Sequence, residues 1–200
     1  MPSTTRHTSL LLIISGPSGV GKTTIARAVE KRFDGVLSVS MTTRPMAVRD
    51  REGVDYFFVG KERFEALREA GQFLESAQVF DNHYGTPRQP VIDALVADRL
   101  MIVEIDLQGA AQVKANMPDA FAIFILPPSE SALLERLRGR NRDDEATIHR
   151  RFAEARTEIA QAKGGDVYDA FIVNEDLKQA IGEAIGLVEQ RLARGQMRNQ

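Results

Sequence analysis

The segment between residues 16 and 23 has a spacing typical of a loop that holds the phosphates of a nucleotide. Gly16, Gly21, Lys22 and Thr23 fit the pattern G-x-x-x-x-G-K-S/T at every fixed position. Backbone N–H groups of such a loop turn toward phosphate oxygens, and the following helix N-terminus adds a positive dipole. We expect Lys22 to reach the terminal phosphates and Thr23 to ligate magnesium. The predicted donor-binding residues here are Gly16, Pro17, Ser18, Gly19, Val20, Gly21, Lys22, Thr23 and Thr24.

Short apolar segments alternate with helical patterns along most of the chain. The phosphate-binding segment lies between the first strand and the first helix, as its motif requires. Nearly continuous apolar strands separated by helices are typical of a parallel sheet that is covered on both faces. Such sheets bind ligands at the carboxyl ends of their strands. The predicted strands are Leu10–Ser15, Val36–Ser40, Leu100–Ile105, Phe121–Leu126 and Ala170–Val173, and the predicted helices are Thr23–Phe33, Leu133–Arg138, His149–Ala162 and Leu177–Leu192.

Two segments depart from this alternation. Residues 41–99 contain a charged loop, an aromatic run at 56–59, a helix pattern near Lys61–Ala70 and a strand-like stretch at Phe73–Phe80. This segment is predicted to form a small subdomain inserted into the sheet topology. The stretch from Arg136 to Arg156 is rich in charge and is predicted to form a helical lid.

Composition limits the classes of function. The chain has 200 residues, a formal net charge of −2, no cysteine and three scattered histidines. These values indicate one domain without disulfides or thiolate metal sites, and a surface not built to attract nucleic acid polymers. No apolar run is long enough to cross a bilayer, and the first nine residues lack the apolar core of a secretory signal. A cytoplasmic location is therefore expected, with no membrane partner.

Six blocks resemble those of guanylate kinases and follow in the family's order, from residue 10 to about 180. The resemblance implies an α/β fold, a P-loop three-layer sandwich with a parallel core sheet. It implies one domain over residues 8–196: a core (8–40, 97–130 and 161–196), a GMP-binding subdomain (41–96) and a lid (131–160). It also implies transfer of the γ-phosphoryl group of ATP to GMP and dGMP, with magnesium as cofactor. The blocks are Ser38–Pro45, Gly53–Phe58, Phe73–Glu75, Tyr84–Thr86, Glu104–Gly109 and Ile172–Leu177.

The resemblance assigns recognition of the acceptor base to a carboxylate at Glu75. A carboxylate can accept hydrogen bonds from the N1–H and exocyclic amine of guanine together, whereas adenine lacks that pair of donors and would leave a buried acid unpaired. On spacing alone, Glu75 would be interpreted as a solvated charge beside a strand. The family also places Ser40, Thr86 and Asp106 around the same base.

The acceptor phosphate is expected to contact Arg44, Tyr56 and Tyr84, again by resemblance. An arginine presents a fork of donors that suits phosphate oxygens. One departure from the family pattern is evident, because Ala47 stands where the family has a second arginine. Arg49 or Arg51 is expected to supply that charge, with Arg49 slightly favoured because it lies nearer in sequence. If neither does, the acceptor binds with one guanidinium fewer.

The family's remaining functional residues concern the donor and the transferred group. Lys22, Arg136, Arg140 and Arg151 are expected to act on the phosphates in transit, while the neighbouring arginines are interpreted as surface. Asn174 is expected to border the donor adenine. Magnesium would be held by Thr23 and, through water, by either Glu104 or Asp106. No general base is required, because the acceptor phosphate is already an anion at neutral pH.

Two alternatives stay open from the sequence. A kinase of the same fold could act on another phosphorylated acceptor, as the change at Ala47 allows. A guanylate-kinase-like domain can also be a non-catalytic binding module, but such modules tend to lose the lysine and lid arginines that are present here. The sequence leaves open whether the protein is a monomer or a small homo-oligomer. Closure of the subdomain and the lid is expected to use hinges near residues 40, 97, 130 and 160.

Overall fold

The computed structural model describes residues 9–79, 81–139 and 144–198. Strands and helices alternate along much of the chain, but consecutive strands occur between residues 36 and 58 and between 73 and 87, and two consecutive helices occur between 130 and 164. In chain order the elements are β1 (Leu10–Ser15), α1 (Lys22–Phe33), β2 (Val36–Leu37), β3 (Met41–Thr42), β4 (Phe57–Phe58), α2 (Lys61–Glu69), β5 (Phe73–Val79), β6 (Asn82–Pro87), α3 (Arg88–Val96), β7 (Leu100–Glu104), α4 (Leu107–Asn116), β8 (Phe121–Leu126), α5 (Glu130–Arg138), α6 (Glu145–Gly164), β9 (Ala170–Val173) and α7 (Leu177–Arg198).

A parallel sheet of five strands, in the order β2-β7-β1-β8-β9, forms the core. Successive residues of β1 enter opposite apolar layers, because side chains alternate along a strand. Leu12 and Ile14 pack with α1, α5, α6 and α7, whereas Leu11 and Ile13 pack with α3 and α4. The prediction of an α/β three-layer sandwich with a parallel core sheet is confirmed.

A second sheet, in the order β4-β3-β6-β5, lies in the inserted segment. Strand β6 pairs antiparallel with both β3 and β5, and this register places Glu75 opposite Thr86 and Ala77 opposite Tyr84. Helix α2 covers this sheet through Phe64, whose ring stacks on Phe73 at a centroid distance of 4.6 Å. The sheet thereby brings residues that are distant in sequence to one face.

The predicted strand over Val36–Ser40 is wrong in its extent. Residues 36 and 37 pair with β7, and the Ser38 N–H still donates to the Ile102 carbonyl at 2.8 Å. The chain then leaves the core sheet and enters the second sheet at Met41. The sequence analysis also missed β6, α3 and α4. Helix α3 returns the chain to the core by burying Val91 and Ala94 against it.

The two helices of the predicted lid begin at side-chain caps, which the sequence analysis overlooked. The Ser129 hydroxyl accepts from the Ala132 N–H at the start of α5, and Asp144 accepts from the Thr147 N–H at the start of α6. Such caps satisfy otherwise unpaired donors of the first turn. Both helices are therefore longer than predicted. The division into core, subdomain and lid remains a prediction.

Candidate active site

The phosphate-binding loop connects β1 to α1 at the carboxyl edge of the core sheet. Gly16 has φ 142° and passes so close to the Ile125 carbonyl that a Cβ there would overlap it. Gly21 has φ 95° and precedes the first turn of α1, and a Cβ on it would lie 2.7 Å from Asn174 Nδ2. Both positions therefore require glycine, for backbone conformation and for space.

Lys22 lies over the inside of this loop. Its Nζ donates to the carbonyl oxygens of Gly16 and Pro17, at 2.6 and 3.1 Å. Phosphate oxygens that enter the loop would offer the ammonium group more strongly charged acceptors than these carbonyls. The geometry is thus that of a lysine held at the entrance of an anion site.

Thr23 and Glu104 form the pair that suits a magnesium ion. The Thr23 hydroxyl donates to Glu104 Oε1 at 2.9 Å, and Glu104 ends strand β7 beside β1. Within the described ranges, no group of three or more His, Cys, Asp or Glu residues could hold a metal ion. Mg²⁺ commonly binds through one or two carboxylates together with substrate phosphates, and the pair fits that mode.

Asp106, the other candidate for magnesium, is engaged differently. Its carboxylate caps helix α4 by accepting from the Gly109 N–H at 2.8 Å. A Cβ on Gly109 would lie 2.8 Å from Glu75 Oε2 and 3.3 Å from Asp106 Oδ1, so the two carboxylates lie near the same glycine. Asp106 therefore belongs to the Glu75 end of the cleft, and Glu104 is the acid that contacts Thr23.

Glu75 is a buried carboxylate, with only 6% of the residue exposed. The Thr86 hydroxyl donates to its Oε1 at 2.6 Å. Burial, reinforced by the negative charge of Asp106, raises the pKa of Glu75 to about 7, although the hydrogen bond from Thr86 opposes the shift. Ser40 is half-buried where the chain enters the second sheet, and its carbonyl accepts from the Phe57 N–H at 2.9 Å.

The structure brings Arg44, Tyr56 and Tyr84 together. The Arg44 guanidinium lies 5.4 Å from the centre of the Tyr56 ring, and the two tyrosine rings meet edge to face at 5.8 Å. Burial raises the pKa of Tyr56, so its phenol stays a hydrogen-bond donor at neutral pH. Arg44 also pairs with Asp50 at 2.8 Å, an acid that the sequence analysis did not single out.

Asp50 organises the loop in which the family arginine is replaced. Its Oδ2 accepts from both the Arg44 guanidinium and the Ala47 N–H, the latter at 2.7 Å. Arg49 is exposed beside it, and Arg51 pairs with Asp55 at 3.5 Å. Neither arginine is part of the Arg44 cluster in this structure.

A cavity of about 310 Å³ adjoins the loop on its other side, where Asn174 and Arg136 lie. Asn174 Nδ2 donates to the Val20 carbonyl at 2.7 Å, and Arg136 donates to the Asn174 carbonyl at 2.8 Å. Among the described residues, Asn174 Oδ1 and Arg136 Nη1 are buried without a hydrogen-bond partner. Both residues line the cavity, but these two atoms are enclosed, so contact with a base would require the side chains to rotate. Thr24 also lines it.

The other lid arginines have different positions. Arg151 is half-buried on α6, and Arg140 lies outside the described residues. Two arginines that the sequence analysis interpreted as surface residues pair with exposed acids, Arg138 with Glu145 at 3.1 Å and Arg156 with Glu130 at 3.0 Å.

Two further groups beneath the loop escaped the sequence analysis. The Tyr168 hydroxyl donates to Ser15 Oγ at 2.9 Å, at the residue where β1 ends, and burial raises the pKa of Tyr168. Glu158 lies on α6 with its Oε1 enclosed. The helical spacing of Glu158 from Ala155 and Ala162, both buried, is the signal that could have found it.

These features define a P-loop phosphotransferase in which a second sheet is inserted into the topology of the core sheet, the fold of nucleoside monophosphate kinases. A family model described as guanylate kinase matches residues 8–191. The chain belongs to the guanylate kinase family.

Curated relatives, themselves guanylate kinases, match most of the chain. It is 48% identical over 182 residues to a guanylate kinase of Thermosynechococcus vestitus, covering 90% of this chain and 94% of the relative. It is 45% identical over 180 residues to a guanylate kinase of Clostridioides difficile, and the match covers 90% of this chain and 86% of that relative. The family predicted from the sequence is therefore confirmed.

Solved structures give the same result for the fold. The crystal structure of a guanylate kinase from Anaplasma phagocytophilum superimposes with a TM-score of 0.77 at 31% identity, covering 94% of this chain and 88% of that one. A gluconokinase from Sinorhizobium meliloti, at 16% identity and a TM-score of 0.56, shares the fold alone. Among the described residues, none of the helices is long and apolar enough to cross a membrane.

Proposed function

We propose that the protein transfers the γ-phosphoryl group of ATP to GMP and dGMP, giving ADP and the corresponding diphosphate. The observation that carries this proposal is the buried Glu75 carboxylate, paired with Thr86 in the second sheet. Burying an acid is costly, and a ligand that donates two adjacent hydrogen bonds repays that cost. Guanine presents such a pair of donors and adenine does not.

The remaining geometry supports binding of the two nucleotides by their phosphates. Arg44, Tyr56 and Tyr84 offer charge and phenol donors to the acceptor phosphate, while the loop and Lys22 receive the donor phosphates. Phosphoryl transfer passes through a loose transition state whose charge lies on equatorial oxygens, so positioning and electrostatic stabilisation provide catalysis. The acceptor phosphate is itself the nucleophile, and no side chain has to remove a proton.

The lid and the magnesium site complete this mechanism. Thr23 and Glu104 would hold Mg²⁺, which neutralises charge on the donor phosphates when bound. Arg136 and Arg151 are proposed to stabilise the transferred group, together with Arg140. Closure over both nucleotides would exclude water and so prevent hydrolysis of ATP.

A nucleotide panel tests the acceptor assignment. GMP, dGMP, AMP, CMP and UMP are each offered with ATP and magnesium, and ADP release is followed in a coupled assay. We expect GMP and dGMP to be used and the other three to be poor acceptors. Glu75→Gln should lose at least about a hundredfold in kcat/KM for GMP, because an amide cannot accept both guanine hydrogens and its NH₂ opposes one of them.

Either of two results would contradict the proposal. Comparable turnover with another monophosphate would favour a kinase for a different acceptor, the alternative that Ala47 keeps open. Full activity of Glu75→Gln with GMP would remove the specificity argument. The cytoplasmic location and the oligomeric state, monomer or small homo-oligomer, stay predictions.

A further inference from the structure

The outer edge of the second sheet is bound by a side chain of a core helix. Strand β5 ends the order of that sheet, so its outer backbone groups face no neighbouring strand among the described residues. Gln112 on α4 takes this place at Ser76. Its Oε1 accepts from the Ser76 N–H at 3.2 Å, and its Nε2 donates to the Ser76 carbonyl at 3.0 Å. One carboxamide therefore makes both bonds that a residue of a neighbouring antiparallel strand would make.

The hydrogen-bonding pattern determines how the carboxamide is oriented. Only its oxygen can accept from an N–H and only its NH₂ can donate to a carbonyl, so an exchanged amide would place donor against donor. Asn116, one turn later on the same side of α4, adds a longer bond of 3.5 Å from Nδ2 to the Leu74 carbonyl. The helix thus binds β5 through the backbone of the strand and fixes where the strand runs.

The same side of α4 lies against the carboxylate that precedes Ser76. Gly109 and Gln112 are three positions apart, so they share one side of the helix. A Cβ on Gly109 would lie 2.8 Å from Glu75 Oε2, so that oxygen lies directly against α4. The other oxygen, Oε1, accepts from the Thr86 hydroxyl on β6 at 2.6 Å. Thr86 therefore positions Glu75 within the second sheet, and α4 positions it relative to the core.

We propose that Gln112 is a positioning residue for guanine recognition, which holds β5 against α4 so that Glu75 and Asp106 face the same base. The inference rests on the proposed function, because it concerns GMP as the acceptor. Asp106 is fixed to the same helix, since its carboxylate caps α4 by accepting from the Gly109 N–H at 2.8 Å. Gln112 ties the strand that carries one acid to the helix that the other acid caps.

This role has a consequence that depends on the base. Two hydrogen bonds from one edge of a base require both carboxylate oxygens to lie near its plane. A small shift of β5 would break one of these bonds, whereas a base that donates a single bond could follow the shifted carboxylate. Inosine monophosphate is the probe for this difference, because its base has the N1–H of guanine but lacks the exocyclic amine. Loss of Gln112 should therefore weaken GMP binding more than binding of inosine monophosphate.

Gln112→Met removes both bonds and keeps a side chain of similar length. In titration calorimetry of the whole chain, we expect the dissociation constant for GMP to rise about tenfold and that for inosine monophosphate to rise less than about threefold. The dissociation constant for ADP should not change, because the phosphate-binding loop lies between β1 and α1, and unchanged ADP binding also shows that the variant is folded. Gln112→Asn, whose carboxamide is too short to reach Ser76, should behave like Gln112→Met.

Two controls separate positioning from a general loosening of the strand. Asn116→Ala removes only the longer bond to the same strand, so it should change the preference for GMP over inosine monophosphate by less than about twofold. In a Glu75→Gln background, Gln112→Met should reduce kcat/KM for GMP far less than in the wild type, because the carboxylate that it positions is gone.

Equal weakening of both monophosphates by the Gln112 variants overturns the inference, and so does no weakening of either. An undiminished loss in the Glu75→Gln background, or the same loss of preference in Asn116→Ala, also overturns it. A wild type that transfers no phosphoryl group to GMP contradicts the proposed function and this inference with it. A wild type that is active with GMP, and whose Gln112 variants keep its preference for GMP, contradicts the inference alone, so the two failures are distinguishable.

Discussion

Glu75 has to satisfy two opposing demands with one side chain. Before the acceptor binds, its ionised form is unfavourable in the buried position, and its pKa is raised to about 7. When guanine binds, the ionised form is needed to accept two hydrogen bonds. The Thr86 hydroxyl at 2.6 Å is the donor that makes this position tolerable in the absence of the base.

This pKa predicts a pH dependence of GMP binding. Below pH 7 the protonated carboxyl cannot accept both guanine donors, so GMP affinity should fall, by up to about tenfold per pH unit, until the pH reaches the lower pKa that Glu75 has in the GMP complex. Calorimetric titration with GMP between pH 5.5 and 8.5 measures this change in affinity. Glu75→Gln serves as the control and should lack this step, although the second ionisation of the GMP phosphate near pH 6 affects both proteins. A flat wild-type profile above pH 6.5 would contradict the prediction.

The same residue should limit the stability of the nucleotide-free protein. Between pH 4.5 and 7 the unfolded chain releases the Glu75 proton while the folded chain keeps it, so the free energy of unfolding falls as pH rises through this window. Across the whole window, the free energy of unfolding falls by about 3 kcal/mol. Urea unfolding should show Glu75→Gln to be more stable than the wild type at pH 8 and to lose that advantage at pH 5. Equal stability at pH 8 would show that the ionised carboxylate costs nothing there.

The replacement of the family arginine by Ala47 leads to a prediction about Arg49. Arg44 is already paired with Asp50, which also holds the Ala47 N–H, and Arg49 is the next exposed cation in this loop. We expect Arg49→Ala to raise the KM for GMP about three- to tenfold with little change in kcat, because it would remove a phosphate contact made throughout the reaction. Arg51→Ala is the matched control, since Arg51 pairs with Asp55. The reverse ranking would assign the role to Arg51.

At the scale of elements, the sequence predicted the bounds of those strands that a local run of apolar residues defines. The fully buried β1 and β8 have the bounds that their runs of apolar residues indicated, and β9 also has its predicted bounds. The split of the 36–40 segment between two sheets could not be predicted, because β-propensity does not specify a pairing partner. Helix α4 was missed although Asp106 caps it, because its buried residues, Gly109, Ala110 and Val113, are too small and too few to form a clear apolar pattern of helical period.

The junction of the loop with α1 depends on an interaction that the sequence analysis did not foresee. Asn174, after β9, reaches the Val20 carbonyl only because Gly21 has no Cβ. We expect Gly21→Ala to combine strain at φ 95° with displacement of Asn174, costing about 1–3 kcal/mol of stability. The KM for ATP should rise together with this loss, because both the loop and the cavity beside it are distorted. Thermal unfolding and steady-state kinetics measure the two effects.

The same substitution at another glycine is the control for Gly21→Ala. Gly182 on α7 has open space where a Cβ would go, so Gly182→Ala should leave the KM for ATP unchanged and should not destabilise the fold. If Gly21→Ala behaved in the same way, the close approach of Asn174 would have no functional consequence.

At the scale of the whole molecule, the site is assembled from parts that belong to different layers. The core sheet carries the loop, Glu104 and Asn174. The second sheet carries Glu75 and Thr86, and the helices of the predicted lid carry Arg136 and Arg151. The family resemblance predicted most of these residues, because its motif blocks preserve them in order. It did not single out Asp50, Tyr168 or Gln112, whose importance depends on burial and contacts that only the folded chain displays.

This distribution predicts that the three parts move relative to one another when both nucleotides bind. Two anions must meet with water excluded, so the acceptor subdomain and the lid should close over a rigid core, with hinges near residues 40, 97, 130 and 160. The chain has no cysteine, so labels can be attached at introduced cysteines alone. Val48 and His149 are exposed, and they lie in the predicted acceptor subdomain and the predicted lid respectively.

A spin-label pair at Val48→Cys and His149→Cys should give a shorter distance by pulsed electron resonance when GMP and a non-hydrolysable ATP analogue are both present. Each nucleotide alone should produce only part of this change, because it engages one side of the cleft. A second pair on the core helices α1 and α7, at Arg27→Cys and Lys178→Cys, should keep its distance under all conditions, which separates closure from a general contraction. Identical distances for the first pair with and without both ligands would contradict closure, because the cleft would then be as narrow without nucleotides as with them. The nucleotides themselves would then have to exclude water from the site.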